Sequence, residues 1–435
     1  MLDLNSFINQ HVIHRHSSMF LPDIEAQDGA LSDAIRGKSL LVIGGAGSIG
    51  SSFIRAVLPY EPAELYVVDT NENALTELTR SLRSTEIYMP QVYKTYPMDY
   101  ASQVFRKMFR QHRREKANAN VSEAKEGDAS VQKGSNSEAF RGDAHGFDIV
   151  ANFSAHKHVR SEKDIYSIEA LLRNNVINAM ALLELLKEHP PELYFCVSTD
   201  KAANPVNIMG ASKRIMEDLI FAYSDAFPVK TARFANVAFS QGSLPDGFLH
   251  RLRMRQPLTA PADVRRYFVS PEESGQICML AAMLGKNREI FFPKLDESTM
   301  MSFDQIALAL LKEHGMNPIM CEDEEDAISQ GDSLRPRTGD TMYPVYFSPS
   351  DTSGEKPYEE FYTEQESVDL QRFTSLGVIT EKERPDREKV QDLVRRLNEA
   401  FERVDLQKED IVEILSGYLS EFQHIETGKS LDDKM

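Results

Sequence analysis

The 435 residues carry 67 acidic against 49 basic side chains, a formal net charge of −18, and 41% of them are hydrophobic. Length and hydrophobic fraction support a real core in two or three domains, or in one domain with extensions. The acidity argues against nucleic acid and against an anionic membrane surface, both of which reward lysine and arginine.

Three cysteines, Cys196, Cys278 and Cys321, lie far apart without metal-ligand spacing, which points to reduced thiols and a cytoplasmic protein. Residues 1–10 lack the basic and apolar regions of a secretory signal. No run of about 18 apolar residues occurs to span a bilayer.

Residues 1–38 read as a mixed lead-in, in which His11, His14 and His16 lack a carboxylate or cysteine to complete a metal set. The apolar run Ser39–Ile43 predicts a buried strand. It passes directly into Gly44-Gly45-Ala46-Gly47-Ser48-Ile49-Gly50, and Phe53, Ile54, Val57 and Leu58 then recur at helical spacing. Strand, glycine turn and helix form the context in which such glycines hold a dinucleotide. Gly44 permits the tight turn, Gly47 leaves room for a pyrophosphate, and Gly50 lets the helix pack close. The backbone N–H groups around Ala46, Ser48 and Ile49 then face phosphate. A second strand, Leu65–Val68, ends in Asp69, whose carboxylate suits ribose hydroxyls and repels a 2′-phosphate, so NAD is expected over NADP. The same carboxylate is expected to cap a helix from Asn73. Asp99, beyond the strand Val92–Tyr96, falls where adenine would be contacted.

Residues 111–146 contain almost no large apolar side chain and predict a mobile solvated insertion. A strand resumes over Phe147–Phe153, and Ser154 through Val159 line the cofactor from its carboxyl end. His156 and His158 have no third ligand nearby. The helix expected over Ile165–Lys187 is apolar on more than one face, so one side should meet the sheet and the other a second subunit. A helix over Ile215–Phe227 joins that contact. Between these helices the strand Leu193–Val197 runs into Ser198-Thr199-Asp200-Lys201. It places a hydroxyl, an acid and a base at the carboxyl end of a strand, where open α/β sheets keep their chemistry. Lys230–Ala235 predicts a further strand. Arg251, Arg253, Arg255, Arg265 and Arg266 form a basic concentration suited to phosphate. Residues 366–435 read as polar helices near Arg384–Arg403 and Lys408–Leu419.

Taken together, Gly44 to Gly50, Lys157-His158-Val159, Asn175-Val176, Ser198 to Ala202, Asn204-Pro205, Met209 to Arg214, Arg233 to Val237, Arg266-Tyr267-Phe268 and Gly354-Glu355-Lys356 carry a resemblance. The chain resembles the extended short-chain dehydrogenase/reductase superfamily. Within it, the nearest likeness is the capsule and polysaccharide biosynthesis branch, typified by UDP-N-acetylglucosamine 4,6-dehydratase. The resemblance implies an α/β Rossmann-like, doubly wound parallel sheet over 39–245, a smaller substrate-binding portion over 246–365 and a helical extension over 366–435. It implies redox-neutral elimination of water from a nucleotide sugar, with Asp200 as acid and Lys201 as base, the base helped by the second cation Lys213 and by burial. Thr199 is to hold the C4 oxygen and Lys213 the nicotinamide ribose. Lys157, His158, Asn175, Asn236, Arg265, Arg266 and Lys356 are the implied substrate contacts, with no metal and with a homo-oligomer as the assembly. Met209 stands where the superfamily carries a tyrosine, and Ala235 where the family has glycine. A C4 epimerase or reductase, and a non-catalytic NAD-binding protein, are the alternatives. The absent tyrosine argues against the first two, and retention of Thr199, Asp200, Lys201 and Lys213 argues against the third.

Overall fold

The computed structural model describes residues 2–112, 146–157, 162–334, 341–350, 360–380 and 382–425. Most of the insertion expected over 111–146, together with His158 and Lys356, lies outside the described residues.

Six strands come first: β1 (Ser39–Ile43), β2 (Glu64–Asp69), β3 (Val92–Pro97), β4 (Ile149–Asn152), β5 (Leu193–Thr199) and β6 (Val229–Phe234). Four short ones follow, β7 (Asn236–Val237), β8 (Leu258–Pro261), β9 (Arg265–Arg266) and β10 (Phe268–Val269). Then come β11 (Ile290–Pro293), β12 (Met301–Ser302), β13 (Asn317–Met320), β14 (Met342–Ser348), β15 (Val368–Asp369) and β16 (Leu376–Ile379). Nine of them form one sheet in the order β15-β16-β11-β6-β5-β4-β1-β2-β3. From β3 across to β11 every pairing is parallel, and β16 and β15 add antiparallel strands at one edge. Parallel strands need crossover segments that cover both faces, which is why β1, β4 and β6 are buried along their whole length, β1 and β4 as mostly apolar runs and β6 with Lys230, Thr231 and Arg233 buried in it. The winding reverses between β1 and β4. That reversal opens a crevice at the carboxyl ends of the strands, where a doubly wound α/β sheet takes its ligand.

The sequence expectation divides the chain at 245 and 365; the main sheet crosses both positions, because β11, β15 and β16 join it. Helix Pro271–Leu284 also belongs to it, crossing helix Ser48–Val57 so closely that a Cβ on Gly275 would sit 2.2 Å from the Ser52 carbonyl oxygen. The remaining short strands build three small sheets, β10-β7, β12-β9 and β13-β14-β8. These rest on a separate apolar core that includes Leu258, Ile306 and Val345, and the first helix, Leu4–His11, adds Phe7 and Ile8 to it. The N-terminal segment is tied down further along. Arg15 Nε and Nη2 both donate to the fully buried Glu273 carboxylate at 2.6 Å, and Asp23 accepts from the amides of Thr374 and Ser375 at 2.6 and 2.8 Å.

Two helices differ from expectation. The one from Ile165 is α-helical to Leu172, widens into a π-turn over Arg173–Ile177, and resumes as Asn178–Glu188. The next begins at Ile208, where the Asn207 side chain accepts from the Gly210 amide, and ends at Ala222. Their outward apolar face, assigned above to a second subunit, is covered by the chain itself. Helices Arg387–Phe401 and Lys408–Tyr418 pack Leu393, Leu397, Ile411 and Leu415 against Ile168, Leu172 and Ile215. Val390, Leu393, Val394, Leu397 and Phe401 form an apolar stripe within a segment whose composition is polar. Among the described residues no helix is long and apolar enough to cross a membrane.

Candidate active site

Gly44 leaves β1 with φ of 69°, a left-handed conformation that glycine adopts without strain. A Cβ there would lie 2.6 Å from the Ser154 amide nitrogen, and one on Gly50 only 2.4 Å from the Gly44 carbonyl oxygen. The chain's own packing demands both glycines. Gly47 is different: a Cβ on it would meet only the Gly44 oxygen, at an ordinary 3.4 Å. Its missing side chain leaves open space at the start of helix Ser48–Val57, as a phosphate approaching the helix amides requires.

Asp69 Oδ2 accepts from the Ala46 amide at 3.0 Å and Oδ1 from the Asn71 amide at 3.0 Å, which locks the carboxylate against the glycine turn. It does not cap the following helix. That helix starts at Glu72 and is capped by Asn71, whose Oδ1 accepts from the Ala74 amide. Asp99 is exposed beyond β3 and accepts from the Ala101 amide. Ser154, at the end of β4, donates to Asn174 Oδ1 at 3.3 Å. Ser48 Oγ accepts from the Gln241 amide at 3.0 Å, joining the glycine turn to the loop after β7.

On the neighbouring strand, β5 ends at Thr199 and the chain makes a single tight turn over Asp200–Ala202. Three donors converge on Asp200 Oδ1: the Thr199 hydroxyl at 2.7 Å, the Lys201 amide at 2.9 Å and Lys201 Nζ at 3.1 Å. Asp200 is 4% exposed and the Lys201 side chain 17%, so the acid is buried and the base reaches the surface of the site. Lys213 approaches from helix Ile208–Ala222 and donates from Nζ to the Val197 carbonyl at 2.9 Å. Burial pushes its pKa down to about 8. Burial likewise lowers that of Lys157, against the pull of Asp246, and Lys157 Nζ donates to Ser240 Oγ at 3.5 Å.

Gly210 sets the distance between this helix and the acidic turn. A Cβ on it would stand 2.7 Å from the Lys201 carbonyl oxygen, which cannot yield without moving the backbone that carries Asp200 and Lys201. Helix propensity alone favours alanine there by about 1 kcal/mol. Gly210→Ala is therefore expected to leave a folded chain whose turnover falls by about 10²-fold, because small misplacements of reacting groups are costly. Parallel thermal melts and steady-state rates check this; unchanged turnover would show that the turn tolerates the shift.

Several candidate substrate contacts are engaged within the protein. Asn175, buried in the π-turn, accepts from the His156 amide at 2.9 Å and donates to the His156 carbonyl at 2.9 Å and to Ser212 Oγ at 3.0 Å. It clamps the loop leading to Lys157. Arg265 donates to the carbonyls of Glu297 and Met300, and Arg266, 5% exposed, donates to the Arg265 carbonyl. Asn236 lies in β7 beside Phe268.

A buried charge network beneath the turn escaped the sequence reading. Arg233, level with Ser198 across the β5–β6 pair, donates to both oxygens of Glu217 at 2.9 and 2.8 Å and to both of Glu366 at 2.7 and 3.0 Å. Ser198 Oγ donates to Glu217 at 2.6 Å. Burial alone would raise the Glu217 and Glu366 carboxyls; Arg233 outweighs it, holding Glu217 below its ordinary value and, with Lys382, bringing Glu366 to about 2. A glutamate set among Ile215, Met216, Leu219 and Ile220 was the available signal, since a buried acid needs a partner.

The polysaccharide biosynthesis protein family matches residues 40–104 and 102–381. The chain is 26% identical over 358 residues to an uncharacterized membrane protein, MJ1061, of Methanocaldococcus jannaschii, covering 80% of this chain and 87% of that one. It is 25% identical over 362 residues to the capsular polysaccharide biosynthesis protein CapD of Staphylococcus aureus, covering 82% of this chain and about half, 53%, of that longer protein. Among solved structures, Pen from Bacillus thuringiensis superposes with a TM-score of 0.56 at 19% identity, over 79% of this chain and 88% of that one. DesIV of Streptomyces venezuelae, a dTDP-glucose 4,6-dehydratase solved with NAD and TYD bound, superposes with a TM-score of 0.51 at 17% identity, over 86% and 99%. The two structures share the fold.

Proposed function

Because the chain belongs to the polysaccharide biosynthesis protein family, we propose that it is a cytoplasmic, NAD-dependent nucleotide-sugar 4,6-dehydratase acting on UDP-N-acetylglucosamine. The observation that carries this reading is the Asp200–Lys201 pair, an acid and a base hydrogen-bonded to each other on one turn at the carboxyl end of β5.

The cofactor is NAD. The amides of Ala46, Ser48 and Ile49 suit its pyrophosphate, Asp69 an adenosine ribose, Asp99 the adenine side, and Ser154 and Lys213 the nicotinamide half. Bound NAD supplies hydride acceptance from sugar C4 and hydride return to C6. The chain's own residues move the protons. Lys201, as the neutral amine, takes the proton from C5, made acidic by the neighbouring C4 ketone. Asp200, as the carboxylic acid, protonates the departing C6 hydroxyl, and water leaves. The pair then stands as carboxylate and ammonium, the 3.1 Å ion pair that the structure holds. As C6 is reduced the Lys201 ammonium returns its proton to C5, and the proton lost by the C4 hydroxyl reprotonates Asp200, so acid and base are both restored. Thr199, whose hydroxyl donates to Asp200 Oδ1 in the free site, turns it to the C4 oxygen when the sugar binds.

Met209 has no exchangeable side-chain proton, so the C4 hydroxyl proton needs another acceptor. Lys213, with its pKa lowered to about 8 by burial, is assigned that role. A base must be neutral to act, so turnover should rise about tenfold per pH unit below about 8 and level off above it. Lys213→Met should lose this limb. A wild-type profile flat through that range would remove Lys213 as the acceptor.

Incubation with UDP-N-acetylglucosamine should give a product lighter by one water in a mass spectrum. An epimerase would leave the mass unchanged, and a non-catalytic NAD-binding protein would leave the sugar untouched. Nucleotide released on denaturation should be NAD(H); recovery of NADP(H) would contradict the role of Asp69.

A further inference from the structure

We infer that the C-terminal helical pair, Arg387–Phe401 and Lys408–Tyr418, takes the place of a second subunit and lets a single chain brace the supports of its own site. The face it covers, built on helices Ile165–Leu172 and Ile208–Ala222, lies inside the segment matched by the family, whereas the covering helices lie beyond residue 381, where that match ends. A twofold pairing of copies through this face would bring two helices from each side, because a twofold interface uses the same patch twice. The tail supplies two helices from within the same chain.

The contact has the make-up of a permanent interface: an apolar centre with paired polar groups at its rim. At the centre, Leu397, Ile411 and Leu415 are buried with Ile168, Leu172 and Ile215. At the rim, Arg387 Nε and Nη2 donate to the Ala222 carbonyl at 3.1 and 2.9 Å, closing the carboxyl end of the covered helix, and its guanidinium lies 4.7 Å from the Tyr223 ring centre. Tyr418 donates to Asp218, and Arg214 pairs with Glu421 at 3.5 Å.

The far end of the tail reaches the supports of the site. The Ile425 amide donates to the Val206 carbonyl at 3.0 Å, on the segment between the Asp200–Ala202 turn and helix Ile208–Ala222. Lys408 Nζ donates to the Glu162 carbonyl at 3.5 Å, and Glu162 Oε1 accepts from the Met209 amide at 2.9 Å. The cover therefore braces both the entry to that helix and the loop after β4.

Light scattering and hydrogen exchange on the full-length protein test this. The wild type should have the mass of one chain, and exchange in 165–188 and 208–222 should not change between about 1 and about 100 µM. Protection in those helices that grows with concentration would overturn the inference. In full-length Leu397→Glu with Leu415→Glu, exchange in 387–418 should become fast, and the exposed face should then pair copies and double the mass. If those helices exchange fast while the variant stays a one-chain species, the covered face has no affinity for a second copy and the inference fails. If the variant does not fold, the wild-type exchange series decides alone.

Discussion

Asp200→Asn and Lys201→Met should each lower turnover by about 10²–10⁴-fold, the usual range for loss of a general acid or base. Both variants should keep NAD, because the glycine turn follows β1 and Asp69 ends β2, away from the altered turn. Asp200→Asn keeps the shape of the acid and removes the proton it would give the C6 hydroxyl, whereas Lys201→Met keeps much of the lysine stem without the base. The double variant should lose less than the product of the single losses, since both groups act in one step. Exchange of the C5 hydrogen with deuterated water separates the roles. It should nearly vanish in Lys201→Met and persist in Asp200→Asn, where the ketone still forms and enolises while water departs slowly. Wild-type C5 exchange in Lys201→Met would show that another group is the base.

The second large effect is on stability. Arg233 is fully buried between Glu217 and Glu366, which are themselves buried. Arg233→Met leaves two carboxylates without their main cation, and breaking a buried pair from one side typically costs about 3–5 kcal/mol. Denaturant titration should therefore show a midpoint far below that of the wild type. The pH dependence follows from the lowered carboxyl values. A carboxyl lowered on folding contributes stability that is fully present above its ordinary value of 4.5 and is lost as pH falls toward about 2, the folded value for Glu366. In Arg233→Met that contribution is gone, so the gap between variant and wild type should narrow as the pH is lowered through this window. A gap constant down to about pH 2 would place the cost of the substitution in packing and not in charge.

The features that the sequence displays are those made by neighbours along the chain. Gly44 through Gly50, Asp69 at the end of its strand, and Thr199-Asp200-Lys201 each lie within one turn or one strand end, so spacing reveals them. Features that rest on distant partners leave weaker marks. Asn175 reads as a polar residue in an apolar helix, and only the π-turn shows that its amide is spent on His156 and Ser212. Asp69 and Asn71 are equally good caps by residue type; the choice falls to Asn71 because Ala46 draws the Asp69 carboxylate toward the glycine turn. The apolar excess of helices Ile165–Leu172 and Ile208–Ala222 correctly announces a cover. It does not say whose, because the matching stripe from Val390 to Phe401 is diluted by charged residues on the solvent side. Arg233 sits in a continuous buried strand, where only its two carboxylate partners explain it.

The hold of Asp23 on the amides of Thr374 and Ser375 spans 351 and 352 positions. On a ribosome adding about 5–20 residues per second, that separation corresponds to roughly 20–70 s of synthesis. For that interval the Asp23 carboxylate, destined to be buried, has no partner yet made. Arg15 waits a shorter time for Glu273. The segment around Asp23 is thus made long before the strand edge that holds it, and long-range closure of this kind slows folding. A nascent chain stalled before Glu273 should expose residues 1–20 to protease even when β1 through β6 have already assembled.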